Sequence, residues 1–303
     1  MIDLHMHTTA SDGRLSPVEL VSRAAAAGLT TISVTDHDTI AALADVTAAA
    51  AAKGMRVIPG IELTAIDQGR DVHMLGYFFD PASAPLAKLL VSQRALRVSR
   101  VRQIAGALSS LKMPIDVEAL LLSAAARPGS SVGRPQIARA LVQAGHVPSV
   151  QDAFDRWLAT GRPAFVPRTG PSPLDVIHTI HAAGGVASFA HPGVTRRDEL
   201  IRPLVEQGLD AIEVYHSDHT PDDVVAYRGL AVRLGALVSG GSDFHGEDFA
   251  GATVGKAARP RRSTLGAITL PADDLAALER KVRLRPASAK ASARPATDGA
   301  TGS

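Results

Sequence analysis

Nine side chains able to hold a metal ion follow one another along the chain: His5, His7, Asp12, His37, Glu62, His73, His191, Asp243 and His245. Imidazole nitrogen and carboxylate oxygen are ligand types that suit Zn²⁺, Mn²⁺ and Fe²⁺. His5 and His7 are separated by one residue in a segment that reads as a strand, so both point to the same side. Asp243 and His245 repeat that spacing. Asp36-His37, Glu62, His73 and His191 each lie in or just after another short apolar run. Side chains at the carboxyl ends of successive parallel strands meet at one mouth of a barrel. The six histidines of this set, out of eleven in the chain, are therefore expected around a cluster of two or three ions, and a hydrolase is the natural reading.

The elements that must position them alternate. MIDLHMH, TTISVTDH, RVIPGIEL and DVHMLGYFF read as strands. Ser16-Pro17-Val18-Glu19 offers an N-cap, a proline at the first helical position and a glutamate at the third, opening a helix that Gly28 stops. A second helix is read over 39–53. From about 83 the rhythm changes to four helices near 83–111, 116–125, 134–145 and 149–159, with the single tryptophan, Trp157, among them. It resumes with a helix at 172–183, then GGVASFAHPG, a helix at 197–207, LDAIEVYH, a helix at 221–234 and ALVSGGSDFH. Seven strands alternating with helices predict an α/β fold: a distorted seven-stranded βα barrel of TIM type, carrying an all-helical insertion domain. The expected division is 1–82 and 169–282 for the barrel, 83–168 for the insertion and 283–303 for a disordered basic tail.

At 303 residues and 46% hydrophobic composition the chain can bury a large core. It has no cysteine, which excludes disulfides and thiolate metal sites and suits a reducing compartment. MIDLHMHT does not read as a secretory leader, and no run of about 18 apolar residues occurs. A soluble, cytoplasmic protein is expected, with no membrane association and no obligate protein partner. Net charge is +2 and the pI about 9.1. Much of the cationic excess lies late, from Arg259 to Arg294, and reads as a solvated tail, attraction to nucleic acid being the sharper alternative. With 4% aromatic residues an extended base-stacking platform is not expected.

HMHTTASDG, TDHDT, GIEL, His73, AHPG and SDFH together resemble the motifs of the polymerase and histidinol phosphatase (PHP) family, over the strands from Met1 to about Gly246. The helical insertion, through Val132-Gly133-Arg134-Pro135 and Gly161-Arg162-Pro163-Ala164-Phe165-Val166-Pro167, resembles the subgroup acting on nucleoside 3′,5′-bisphosphates and on 5′ ends of short RNA. The resemblance implies a metal-dependent phosphoesterase with His5, His7, Glu62 and Asp243 around one ion. Glu62 would bridge to a second held by His73 and His191, and Asp12, His37 and His245 would hold a third. Two or three divalent ions are implied, Mn²⁺ foremost, with Zn²⁺ or Fe²⁺ as alternatives. It further implies a nucleotide substrate and attack by metal-bound hydroxide, which requires no protein nucleophile.

Around that centre the expected roles are catalytic for His191, Asp243 and His216, the two histidines as candidate acids for the leaving group, and substrate-binding for Arg134 and Arg168. Gln136 stands where related sequences carry histidine, and Arg168 where they carry histidine or lysine. Asp36 is read as orienting a ligand histidine, Asp38 as a helix cap, His178 and His181 as surface residues, and His146 as a cation favoured by the dipole at a helix end. Three other readings stand beside this one. A histidinol-phosphate phosphatase is disfavoured by the four-helix insertion. A C–N hydrolase lacks a strand-end lysine among the six lysines at 53, 88, 112, 256, 281 and 290. A non-catalytic metal- or nucleic-acid-binding module is disfavoured by the complete ligand set.

Overall fold

The computed structural model describes residues 1–125, 133–246 and 264–285. In chain order the elements begin with β1 (Ile2–Asp3), α1 (Pro17–Ala26), β2 (Thr31–Ile32), α2 (Leu43–Ala51), β3 (Arg56–Val57), β4 (Gly60–Asp67) and β5 (Arg70–Tyr77). The helices α3 (Ala84–Ser110), α4 (Val117–Ala125), α5 (Arg134–Gln143) and α6 (Val150–Ala153) follow, the last running into a π-helical turn, Phe154–Leu158. Then come α7 (Pro173–Ala182), β6 (Val186–Phe189), α8 (Pro192–Thr195), α9 (Ile201–Glu206), β7 (Ala211–His216), α10 (Pro221–Leu234), β8 (Leu237–Gly241) and α11 (Ala272–Leu284).

Three helices start from the same local chemistry. Ser16, Ser172 and Thr220 cap α1, α7 and α10; proline follows each, and Glu19, Asp175 and Asp223 accept the cap residue's backbone N–H in return. The reciprocal bonds satisfy donors that a helix start otherwise leaves open. They fix where each helix leaves the strand layer.

The strands differ from the expected single ring of parallel units. Among the described residues they form two sheets, β1-β2-β3, all parallel, and β4-β5-β6-β7-β8. Pro59, with no N–H to donate, falls between β3 and β4, so the segment read as one strand, RVIPGIEL, is two. β5 runs antiparallel to both β4 and β6, while β6, β7 and β8 are parallel. The β4–β5 link is a hairpin rather than a crossover. Gln68 and Gly69 have φ of 48° and 75°, the positive pair that a two-residue type I′ turn needs.

Backbone bonds beyond the named strands join the two sheets at both seams. Leu4 N–H donates to Gly240 O at 3.2 Å, Asp243 N–H to His5 O at 2.7 Å and His7 N–H to Phe244 O at 2.9 Å. On the other side Asp38 N–H donates to Glu62 O at 2.9 Å. Gly241 permits the first seam: a Cβ there would sit 2.2 Å from the His5 nitrogen.

Each layer has its own apolar core. Leu20, Val21, Ala24, Val46 and Ala50 of α1 and α2 pack over the three-stranded sheet, and a larger cluster centred on Met74, Phe189 and Ile212 fills the five-stranded one. Val101, Ile104, Leu108, Ile137, Leu141 and Leu158 form a third core within the helices of 84–158. The 27-residue α3 spans roughly 40 Å and joins the last two. Its Leu86 packs in the sheet core and its Gln93 amide donates to Thr64 O, whereas Val101, Ile104 and Leu108 pack among the helices.

At the other end of the strands Arg285, just past α11, holds Asp210 with bonds of 2.6 and 2.7 Å. The helix thus passes the expected start of the tail at 283; residues 286–303, and Arg259, Arg261 and Arg262, lie outside the described residues. No described helix is long and apolar enough to cross a membrane.

Candidate metal centre

All nine candidate ligands converge on one mouth, and Glu62 is their hub. It sits early in β4, 1% exposed. One of its oxygens, Oε1, lies 2.8 Å from His73 Nδ1 and 3.0 Å from His191 Nε2. The other, Oε2, lies 3.2 Å from His7 Nε2, 3.2 Å from His37 Nδ1 and 3.3 Å from His5 Nε2. Asp243 Oδ1 faces His5 and His7 at 3.4 and 3.1 Å. Asp12, half exposed on the loop after β1, reaches His245 Nε2 at 3.2 Å and His37 Nε2 at 3.7 Å. Ligand atoms of His5, His7, Glu62 and Asp243 lie within 4.8 Å of one another, as do those of His7, Asp12, His37 and His245, and those of His37, Glu62 and His73.

The backbone bends to aim these groups. His191 and Asp243, neither of them glycine, have φ of 28° and 54°, a region that costs an L-residue energy and recurs at functional sites. His191 lies two residues past the end of β6 and caps the short α8. Asp36 takes the Thr8 N–H at 2.7 Å and the Ser11 hydroxyl at 2.6 Å, so it shapes the loop between His7 and Asp12 rather than touching a ligand ring. Asp38 caps no helix. It accepts from Thr64 N–H at 2.8 Å and pairs with Arg97.

The electrostatics describe a set of carboxylates seeking cations. Burial pushes Glu62 up, but His37, His73 and His5 outweigh it and hold it well below the usual carboxylate range. Burial likewise opposes charge on His5 and His7, yet Glu213, Asp243 and Glu62 raise His5 well above an ordinary imidazole, and Asp243 and Glu62 bring His7 to about 10. Burial wins at His37, which falls to about 3. Every described ion-pair partner of Glu62 is a histidine. Imidazolium protons can be exchanged for a divalent ion, since a ligand imidazole binds through a lone pair. The donor set of histidine nitrogens and carboxylate oxygens fits such an ion.

His216, 1% exposed, is also at the mouth but has both ring nitrogens engaged. Nδ1 accepts the Asp218 N–H at 3.1 Å, so in the neutral ring Nε2 carries the proton, 3.3 Å from Asp243 Oδ2. Burial brings it down to about 4. Of the other histidines, His219 is buried behind His216, its ring centre 5.2 Å away and its Nε2 accepting the Gly193 N–H, and two more lie farther off. His146 meets Pro114 O, and His181 meets Asp210 at the far end of the strands.

Beside the mouth lies a pocket lined by Asp38, Thr64, Gln93, Arg97, Arg100 and Arg168, among others. Arg168 pairs with Asp71 at 3.1 Å. Arg134, at the start of α5, stacks over Phe165 and donates to Leu158 O, with no carboxylate in salt-bridge range among the described residues. Arg134 and Arg168 both press on Arg100, which burial and this repulsion lower to about 10. Cations crowded together with so few acids suit an anionic guest. Gln136 caps α5, its Oε1 accepting the Gly133 N–H at 2.9 Å.

Sequence reading passed over Arg97, Arg100 and Glu213. The signal for the arginines was their spacing: 94, 97 and 100 are three apart, one face of a helix. For Glu213 it was a lone charge inside the apolar run AIEVY.

The model of the PHP domain matches residues 3–158. The chain is 38% identical over 248 residues to the 5'-3' exoribonuclease of Haemophilus influenzae, covering 80% of this chain and 89% of that one. It is 35% identical over 265 residues to the 3',5'-nucleoside bisphosphate phosphatase of Chromobacterium violaceum, covering 84% and 90%. A solved structure from Bifidobacterium adolescentis, of a protein proposed to be a metal-dependent phosphoesterase, superposes with a TM-score of 0.74 at 32% identity, covering 92% of this chain and 96% of that one.

Proposed function

The chain belongs to the PHP domain family, a hydrolase of phosphate esters, and from that membership we propose that it removes phosphate from nucleotides, nucleoside 3′,5′-bisphosphates first and 5′ ends of short RNA second. The observation that carries this is Glu62, each of whose oxygens serves a different group of histidines, the arrangement a carboxylate shared between two ions requires. His5, His7 and Asp243 would complete one site with it, His73 and His191 the second, and Asp12, His37 and His245 a third. Mn²⁺ is our first choice of ion, with Zn²⁺ and Fe²⁺ as alternatives. When bound, such ions supply a water of lowered pKa and neutralise charge building on the phosphoryl oxygens.

The chain's own residues do the rest. Arg134 and Arg168, with Arg97 and Arg100 behind them, would hold a second phosphate, which favours a bisphosphate over a monophosphate. His216 steadies Asp243 through its Nε2 proton. His191 cannot both ligate through Nε2 and give a proton from it; the 3.0 Å approach to Glu62 favours ligation, leaving the departing oxygen to be protonated by solvent. Helices over 83–168 would act as a separate unit covering the mouth. The two seams favour a distorted ring of seven strand positions, with β3 and β4 sharing one.

The test is release of phosphate or nucleotide from adenosine 3′,5′-bisphosphate, AMP, histidinol phosphate and a 5′-phosphorylated RNA oligomer, with Mn²⁺ or with EDTA. Turnover of the bisphosphate or the oligomer that EDTA and His7→Ala abolish is expected. Silence on all four from metal-loaded protein would overturn the reading.

A further inference from the structure

We propose that Glu213 is a positioning residue for the metal centre, one carboxylate that sets the ring of His5 and the backbone of His191 together. The inference rests on the reading of His5 and His191 as ligands. Glu213 lies on β7 with no exposure, and its two oxygens point to different partners. Oε1 is 2.8 Å from His5 Nδ1, and Oε2 accepts the His191 N–H at 2.7 Å. An ionised carboxylate can only accept, so His5 carries its proton on Nδ1. The lone pair is thereby fixed on Nε2, the nitrogen that faces His7, Glu62 and Asp243. The second contact ties down a backbone at φ 28°, where a non-glycine residue stays only if its surroundings hold it.

His5 lies just past β1 and His191 just past β6, so the two are carried by different sheets. β7 lies beside β6, and Glu213 spans from there to both. Acceptors behind ligand histidines commonly fix their tautomer and raise their basicity; here a single side chain would serve two ligands.

Glu213→Gln keeps the shape but must present an amide N–H₂ on one side. Toward His5 it forces the ring proton onto Nε2, the nitrogen needed for the metal. Toward His191 it sets two donors against each other. Glu213→Asp keeps two acceptors on a shorter stem.

The experiment titrates Zn²⁺ against a competing chelator for the three chains and records long-range ¹H–¹⁵N histidine spectra of the Zn²⁺-loaded parent. Glu213→Gln should lower Zn²⁺ affinity by roughly 10–100-fold, Glu213→Asp should lose less, and His5 Nδ1 should be the protonated nitrogen. Folded Glu213→Gln binding Zn²⁺ within about twofold of the parent, against that expectation, would overturn the proposal. So would a His5 with its proton on Nε2, which needs no variant. Failure of the parent itself to bind Zn²⁺ would instead remove the metal reading on which this one stands.

Discussion

Glu62 at the mouth and Asp210 at the base of the strands are equally buried carboxylates, each with a side chain 1% exposed, yet their neighbours differ in kind. Asp210 meets the Arg285 guanidinium at 2.6 Å, Lys281 at 3.4 Å and His181 at 2.8 Å, and accepts the Ala187 N–H. Glu62 meets five histidines. Guanidinium keeps its charge at any ordinary pH and has no lone pair to offer a metal. Imidazole gives up its proton near neutrality and then binds through nitrogen. The base is built as a permanent ion pair, while the mouth is built so that its cations can be exchanged. Burial alone does not distinguish them; the chemistry of the partner does.

Removing the charge from each carboxylate in turn should separate the two roles. Glu62→Gln is expected to lower kcat by on the order of 1,000-fold, more than the loss of an outer hydrogen-bond partner costs, because a shared ligand goes with it. The thermal midpoint of the metal-free chain should stay within about 4 °C. Phosphate release at saturating Mn²⁺ and a thermal melt check both halves. Parental turnover in this variant would break the comparison outright.

Asp210→Asn should do the reverse. Stranding Arg285 and Lys281 beside a neutral amide is expected to cost about 3 kcal/mol in urea unfolding, with kcat changed less than about threefold. Its pH dependence sharpens the point. Burial pushes Asp210 up, but His181, the Ala187 N–H and Arg285 hold it below the usual range. A depressed folded pKa gives stability that is complete above the unfolded value, about pH 4, and is lost as pH falls through the folded one. The gap between parent and variant should therefore narrow on acidification below about pH 4. A gap that stays constant to pH 2 would assign the cost to packing instead.

Much of the mouth could be read in the sequence because its signals are local. HMH and SDFH each carry two candidate ligands one residue apart, and Ser16-Pro17-Val18-Glu19 marks a helix start within four residues. The helices over 84–158 fell within a few residues of expectation for the same reason. What could not be read depends on partners far along the chain. The pairing of β5 with β6 joins residues more than a hundred apart, and neither strand states its direction. The β4–β5 hairpin rests on Gln68-Gly69, a pair weaker in turn preference than Asn-Gly. Arg285 looked like part of a basic tail, since nothing beside it in sequence names Asp210 as its partner. Glu213 looked like a strand residue until His5 and His191 stood on either side.

The arginine pocket tests whether fixed cations beside exchangeable ones divide the labour at the mouth. Arg168→Leu should raise KM for adenosine 3′,5′-bisphosphate by on the order of tenfold, the loss of one charged hydrogen bond, with kcat changed less than about twofold. AMP, with one phosphate fewer, should be affected less. An equal effect on both substrates would place Arg168 on the phosphate that reacts.

Gln136 bears on the same division. Its amide is already occupied. Its Oε1 accepts the Gly133 N–H at the start of α5, an end that a glycine cap cannot satisfy through a side chain of its own. Arg134 is the first residue of that helix, so the bond helps fix the turn from which the guanidinium reaches. Gln136→Ala should cost about 0.5–1 kcal/mol of stability, the range for a lost helix cap, and leave KM for the bisphosphate within about twofold. A larger rise in KM with stability unchanged would mean that the amide itself touches substrate. The pocket would then hold phosphate through a neutral donor as well as through its arginines, and the contrast between fixed and exchangeable charge would need a third member.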